Sequence, residues 1–232
     1  MINFDGVSLD SVAPVQIEDI RVYPIELDPV TRNRPIHAGS EFVRIRKRTR
    51  TVSVTFAVLV EDKTERQAAL LAISKWAKTD KEYKLELPHY PDMYLTAVCT
   101  GKPEPSLRQW WESKLRLVFT CINDPYWNAK GEKSVSCGSD FFVLGDAVPL
   151  MRIERTLSAD ASNQSYSFGG NTMTFSTIPT GNMVIDLNRQ TAKVGTTSIM
   201  QYFAQNGHFI EPKTGAMKIT GTGTVKYRER WC

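Results

Sequence analysis

The chain has 232 residues, of which 41% are hydrophobic and 23% charged, and its formal net charge is +4. A chain of this length can bury a substantial core, as one large domain or two small ones. No apolar run is long enough to span a bilayer, and the opening MINFDGVSLD lacks the basic segment and apolar core of a secretory signal. We therefore expect a globular protein that is made in the cytoplasm, without membrane insertion.

The clearest strand pattern lies at residues 51–60, TVSVTFAVLV, where apolar side chains alternate with small or polar ones. Directly after it, Asp62 is placed to cap a helix, and Glu65 follows three residues later. Apolar residues then recur at helical spacing through TERQAALLAISKWAK, which predicts a helix over about 64–78. It is the only long helix that the sequence predicts.

The sequence beyond this helix is typical of β-structure. Prolines interrupt short strands predicted around 83–87 and 93–101, and SKLRLVFTCI at 113–122 alternates again before the turn sequence NDPYW. The second half consists of short strand-like runs separated by Gly, Asn, Pro or Ser, a pattern that favours a β-sandwich. These runs are Leu150–Glu154, Ser165–Gly169, Thr172–Phe175, Met183–Leu187, Thr191–Val194, Met217–Thr220 and Thr224–Arg228. The predicted fold class is mainly β: an α+β N-terminal domain with one helix, then an all-β domain.

Residue patterns of enzymes and metal sites are missing from the sequence. It has no GxSxG, no GxxxxGK[ST] and no HExxH, and its four cysteines form no CxxC pair. The three histidines lie near none of the cysteines in sequence, so zinc is not expected. His89 has Asp92 and two tyrosines nearby, but a histidine among prolines in a loop is more often a packing residue. We predict neither catalysis nor a cofactor.

The segment EFVRIRKRTRTVSV, residues 41–54, carries a cluster of basic side chains. Its members are Arg44, Arg46, Lys47, Arg48 and Arg50. If 43–60 were one strand, the four arginines would share a face with Val52, Val54 and Phe56. A core cannot hold four unpaired guanidinium groups, so either the strand protrudes or the chain turns near 46–48. Both alternatives predict an exposed basic arm, suited to a protein partner more than to nucleic acid, since no recognition helix or interleaved aromatic accompanies it.

Trp110 and Trp111 in SLRQWWESK are candidates for a second contact surface. Adjacent tryptophans can stack on sugars or bases, but in an extended stretch they point to opposite faces. One is then expected in the core and the other at an interface with a partner. A sugar-binding protein would use Trp110, Trp111 or Trp127 as its stacking residues.

The order of these segments resembles the distal tail protein (Dit) family of long-tailed bacteriophages and prophages. The resemblance rests on INFDGVSL, RTRTVSVTFAVL, ERQAALLAISKWAK, NDPYW, the stretch around Gly181, Asn182, Ile185 and Asp186, and the closing Arg230-Trp231. Two features depart from the family pattern: Ala216 stands where a polar turn residue is expected, and Cys232 follows the terminal tryptophan.

The resemblance implies a ring-forming N-terminal domain at 1–130 and a galectin-like β-sandwich at 135–232. It also implies a structural virion protein, not an enzyme, that forms a homo-hexameric ring at the distal end of the tail tube. That ring is a baseplate hub for host adsorption, and it joins the tail tube protein to the tail-associated lysin and to receptor-binding proteins. Two alternatives stay open: a carbohydrate-binding module for cell-wall sugars, and a nucleic-acid-binding protein using residues 44–50.

Overall fold

A computed structural model describes residues 1–33, 40–60, 62–77, 80–101, 104–109 and 112–232. The chain divides into two compact units, Met1–Trp127 together with Cys232, and Asn128–Trp231, called here unit 1 and unit 2. That the first is a ring-forming domain and the second galectin-like stays a prediction. Both units are built mainly of β-strands, as the sequence predicts. Within the described residues, no helix is long and apolar enough to cross a membrane.

Unit 1 is an antiparallel sheet covered on one face by a helix. Its strands are β1 (Asn3–Phe4), β2 (Val7–Ser8), β3 (Val15–Val22), β4 (Leu27–Asn33), β5 (Ser40–Lys47), β6 (Arg50–Val58), β7 (Tyr83–Glu86), β8 (Met93–Cys99), β9 (Glu104–Gln109) and β10 (Glu112–Cys121). The helices of its described residues are α1 (Leu9–Val12) and α2 (Lys63–Trp76). The main sheet runs in the order β8-β10-β6-β3. Strand β11 (Trp127–Ala129) spans the division between the units.

The predicted strand at 51–60 forms β6, the centre of this sheet. Val52, Val54, Phe56 and Val58 point inward and are buried, as their alternation requires. Each such side chain contributes about 1.5–3 kcal/mol when fully buried. The inward face of β6 therefore fixes the register of both its neighbours, since a slip of one residue would expose all four.

The predicted helix forms α2 and is fixed at its first turn by Asp62. The Asp62 carboxylate accepts hydrogen bonds from the backbone N–H groups of Thr64, at 2.7 Å, and Glu65, at 3.0 Å. These bonds satisfy two donors that have no partner inside the helix, and they hold the pKa of Asp62 below its usual range. On the buried side of α2, Ile73 and Trp76 pack toward the sheet.

Unit 2 has two β-layers around one core. Its strands are β12 (Lys133–Ser136), β13 (Phe141–Val143), β14 (Ala147–Leu157), β15 (Ala161–Phe168), β16 (Asn171–Ile178), β17 (Gly181–Asp186), β18 (Thr191–Val194), β19 (Thr197–Ser198), β20 (Gly215–Met217) and β21 (Thr224–Trp231). One layer runs β19-β18-β17-β14-β21, with β12 on β21, and the other is built from the pairs β15–β16 and β13–β20. The fully buried Ile153, Tyr166, Phe175 and Ile185 belong to the core of the unit.

Candidate interaction surfaces

The basic cluster lies largely on a two-stranded arm, formed by β4 and β5 and called here the arm. In the described residues its strands pair only with each other, from Leu27 opposite Lys47 to Asn33 opposite Ser40. The regular strand stops after Lys47 and resumes at Arg50, so the chain leaves the arm at residues 48 and 49. Backbone hydrogen bonds from Tyr23 to Thr51 and from Glu26 to Thr49 continue the pairing of β3 with β6 into the arm, which therefore extends from the end of these two strands.

Hydrogen bonds at the base of the arm join the segment that enters β4 to the segment that follows β5. The backbone of Glu26 donates to the carbonyl of Thr49, at 2.8 Å, and accepts from the N–H of Arg48, at 2.8 Å. The Thr49 hydroxyl donates to a carboxylate oxygen of Glu26 at 3.2 Å. The Arg48 guanidinium is paired with Asp28. The base of the arm is therefore held together by these contacts in addition to the backbone pairing of β4 with β5.

Apolar side chains are unusually exposed along the arm. Four of them, each 54–60% exposed, are Leu27, Phe42, Val43 and Ile45. Leu27 and Ile45 lie on one face of the ribbon, because they belong to the pairs Leu27–Lys47 and Pro29–Ile45. A two-stranded ribbon alone in water is marginally stable, and exposed apolar side chains in a cluster mark contact surfaces. The arm therefore has the properties of an element that is completed by a partner.

The basic residues do not all share this surface. Arg44 and Arg46 are exposed, and neither has an ion-pair partner among the described residues. Lys47 is exposed, with its ammonium group 5.2 Å from the centre of the Tyr126 ring. Arg48 is exposed but held by Asp28.

Arg50 corrects the prediction of a uniformly exposed cluster. It is the first residue of β6 and is only 3% exposed, with its guanidinium carbon 5.8 Å from the centre of the Trp127 ring. Parity explains the difference, since Arg50 shares the inward face of β6 with Val52 and Val54. Because its side chain is buried, Arg50 is not available on the surface of this chain for contact with a partner.

Of the three tryptophans proposed as contact or stacking residues, the structure describes one. Trp110 and Trp111 lie outside the described residues. Trp127 is buried, and the Tyr90 ring packs against it at 4.4 Å between ring centres. With Arg50 also over its ring, Trp127 does not offer a face on which a sugar could stack.

A groove beside α2 is a second surface of unit 1, one that the sequence reasoning did not find. It has a volume of about 360 Å³ and is called here the helix groove. Its lining residues are Val12, Ala13, Pro14, Val60, Glu65, Ala68, Ala69 and Ala72. Three alanines on one side of a helix leave room for another chain to approach closely. In the sequence, the groove is indicated only by the alanines of ERQAALLA. Alanines are also expected there because they favour helix formation.

The cysteines and the possible metal ligands were compared with the requirements of a reactive thiol and of a metal site. None of the four cysteines is part of a disulfide. Burial raises the pKa of the Cys121 thiol to about 12, so it stays protonated and unreactive at neutral pH. Among the described residues, no three His, Cys, Asp or Glu side chains are grouped so as to hold a metal ion.

Comparison with known proteins gives a likeness of fold. No protein-family model matches the sequence, and a search of curated proteins finds no match. The chain has the fold of the Dit protein of phage SPP1, a hub of the adsorption apparatus in phages that infect Gram-positive bacteria, with a TM-score of 0.79. The alignment covers 100% of this chain and 98% of that one, at 15% identity. The baseplate of phage P2, in its activated conformation with Ca, contains a chain that aligns over 96% of this chain and 92% of its own, with a TM-score of 0.50 and 8% identity.

The likeness to the SPP1 Dit protein confirms the mainly β fold class that the sequence predicts. The mainly β architecture with one long helix is shared with the SPP1 Dit protein along the whole chain. At 15% identity it is the backbone arrangement that is shared, and the role of the chain has to be argued from its own surfaces.

Proposed function

We propose that this protein is a structural, non-catalytic component of a phage tail tip, where it forms a hexameric ring. The observation that carries the proposal is the likeness to a tail hub protein over the entire length of both chains. In this role unit 1 is the ring-forming part and unit 2 is a galectin-like sandwich. The ring joins the tail tube protein to a tail-associated lysin and to receptor-binding proteins, and it is located in the virion.

The surfaces of unit 1 are suited to such a ring. A cyclic assembly of six needs two different complementary surfaces on each protomer, because its contacts run head to tail. The arm and the helix groove are two such surfaces, and they differ in shape and charge. The exposed Leu27, Val43 and Ile45 of the arm favour a protein partner over nucleic acid, because contacts to phosphates and bases would leave these side chains in water.

The assembly state of the purified protein tests the proposal. Light scattering coupled to size exclusion is expected to give a mass near six protomers at high protein concentration. Negative-stain images are expected to show rings with six-fold symmetry. A monomer at every concentration would contradict the proposal. If Arg44 and Arg46 instead bound DNA, binding would weaken steeply with salt and would be lost in the Arg44→Ala, Arg46→Ala double variant.

A further inference from the structure

We infer that the arm of one copy docks into the helix groove of a neighbouring copy of the same chain. The inference deepens the proposed ring and rests on it, since it names the two surfaces that meet at each contact between protomers. It follows from three features of unit 1: the positions of the arm and the groove on the sheet, the match between the exposed apolar arm and the groove, and their charges.

The first feature is that the arm and the helix groove lie at opposite ends of the same two strands. Val58 of β6 pairs with Val15 of β3 beside the groove, whereas Val52 pairs with Val22 beside the base of the arm. The nine residues of β6 span about 26 Å at the rise of a β-strand. The apolar side chains of the arm are also exposed, so the arm does not fill the groove of its own chain. Two surfaces placed in this way can meet between copies, and a head-to-tail arrangement of such contacts can close into a ring.

The second feature is the match between an apolar ribbon and a groove lined by small residues. One face of the arm presents Leu27 and Ile45. The facing wall of the groove would be Ala68, Ala69 and Ala72, whose short side chains leave space for larger ones. Docking would remove the apolar surface of both from water, which stabilises a contact by about 25 cal/mol for each Å² buried.

The third feature is complementary charge at the rim. Arg44 and Arg46 leave the arm from the face opposite Ile45, and an arginine stem is long enough to bend over the edge of the ribbon. The groove is lined by Glu65, and Asp10 lies in the first turn of the neighbouring helix α1. Among the described residues, none of these four side chains has an ion-pair partner within its own chain. A second copy supplies each with a partner of opposite sign.

Site-directed cross-linking tests the contact. In a Cys232→Ser background, which removes the exposed native thiol, Ile45→Cys is combined with Ala68→Cys in the groove. A matched control combines Ile45→Cys with Gln67→Cys, which is also exposed but lies about 100° away around α2. A short bismaleimide reagent should convert the Ala68 variant into a ladder of covalent multimers, and the control should remain mostly uncoupled.

The outcomes separate this inference from the proposed ring. A hexamer in light scattering that gives no more ladder than the control would overturn the docking of the arm and leave the ring standing. A monomer at all concentrations would overturn both. A ladder specific to the Ala68 variant supports the docking.

Exchange of the charges gives a second, independent measurement. Glu65→Lys and Arg46→Glu should each weaken association by roughly five- to ten-fold, because each places like charges opposite one another. The double variant should recover most of this loss, and the effect should shrink at high salt. If the double variant lost as much affinity as the sum of the two single losses in free energy, these charges would not be in contact.

Discussion

The guanidinium group of Arg48 donates two hydrogen bonds to the same carboxylate oxygen of Asp28, from Nε at 2.9 Å and from Nη2 at 2.6 Å. Asp28 lies on β4, and Arg48 directly follows β5, so the pair joins both strands at the base of the arm. The hydrogen bonds to Asp28 also raise the pKa of Arg48, so its guanidinium group stays charged.

Asp28→Asn is expected to loosen the arm without unfolding unit 1. Because the pair is exposed, its loss should change the free energy of unfolding little. Amide hydrogen exchange in peptides covering 27–47 should become faster. Asp19→Asn is a matched control, since it breaks an exposed pair with Arg21 on β3. Equal exchange of the arm in the two variants would contradict a role for Asp28 in ordering it.

Arg50 and Arg46 should respond in opposite ways to the same substitution. Arg50→Glu reverses the charge at a buried position and places a carboxylate beside the Trp127 ring in place of a cation, which should cost about 3 kcal/mol or more of stability. Arg46→Glu lies on the exposed arm and should stay within about 0.5 kcal/mol. Urea unfolding followed by tryptophan fluorescence measures both. Similar losses of unfolding free energy in the two variants would contradict the burial of Arg50 and the exposure of Arg46.

Gly221→Ala should destabilise unit 2 by about 3 kcal/mol. Gly221 has a φ of +133°, and a Cβ at this position would overlap Cδ1 of Tyr166. The ring cannot move away easily, because it is buried and its hydroxyl donates to the carbonyl of Thr222 at 3.0 Å.

Gly131→Ala is the control for this substitution. A Cβ at Gly131 would meet no atom within 4 Å, so its cost should be below about 1 kcal/mol. Thermal unfolding of the full chain followed by calorimetry compares the two variants. Equal shifts would show that the overlap with Tyr166 is relieved at low cost.

Glu154 makes the stability of unit 2 depend on pH. Hydrogen bonds from Lys226, at 2.7 Å, and Arg152, at 2.5 Å, lower the pKa of its carboxyl group. A carboxyl whose pKa is lower in the folded than in the unfolded state adds stability above the unfolded value. That stability is lost as the pH falls through the folded value.

Glu154→Gln should therefore cost more stability at pH 7 than at about pH 3, where the wild-type carboxyl is increasingly protonated. Urea unfolding of both proteins at the two pH values gives the difference. Glu211→Gln, at an exposed carboxylate without an ion-pair partner in the described residues, is the control. A loss that is the same at both pH values would contradict the ionic role of Glu154.

Much of the fold could be predicted because its signals are local. The alternation of 51–60 predicted β6, and Asp62 followed by helical spacing predicted α2, which ends at Trp76. Both patterns are set by side chains that must face one core, and this requirement can be read from neighbouring residues. Six of the seven short runs of the second half likewise correspond to strands of unit 2, whereas of Met217–Thr220 only Met217 belongs to a strand, β20.

The candidate interface was only partly predictable. Parity showed that the basic cluster could not all be core, and the arm bears this out for Arg44 and Arg46. Parity did not show that the exposed part of the cluster ends before Arg50. The boundary depends on the pairing of β5 with β4 instead of with the main sheet, and this pairing joins residues that are not neighbours in sequence. The helix groove was missed for the same reason, since Pro14, Val60 and Ala69 meet only in the folded unit.

The sequence by itself therefore determined the central strand β6, several further strands and the long helix, and that a basic stretch must leave the core. These properties follow from the periodicity of adjacent side chains and from the cost of burying charge. Only the tertiary structure decided that Arg50 is buried, that the arm carries an exposed apolar face, and that a groove of alanines lies at the far end of the same strands. Those properties depend on contacts between distant residues, which no local pattern encodes.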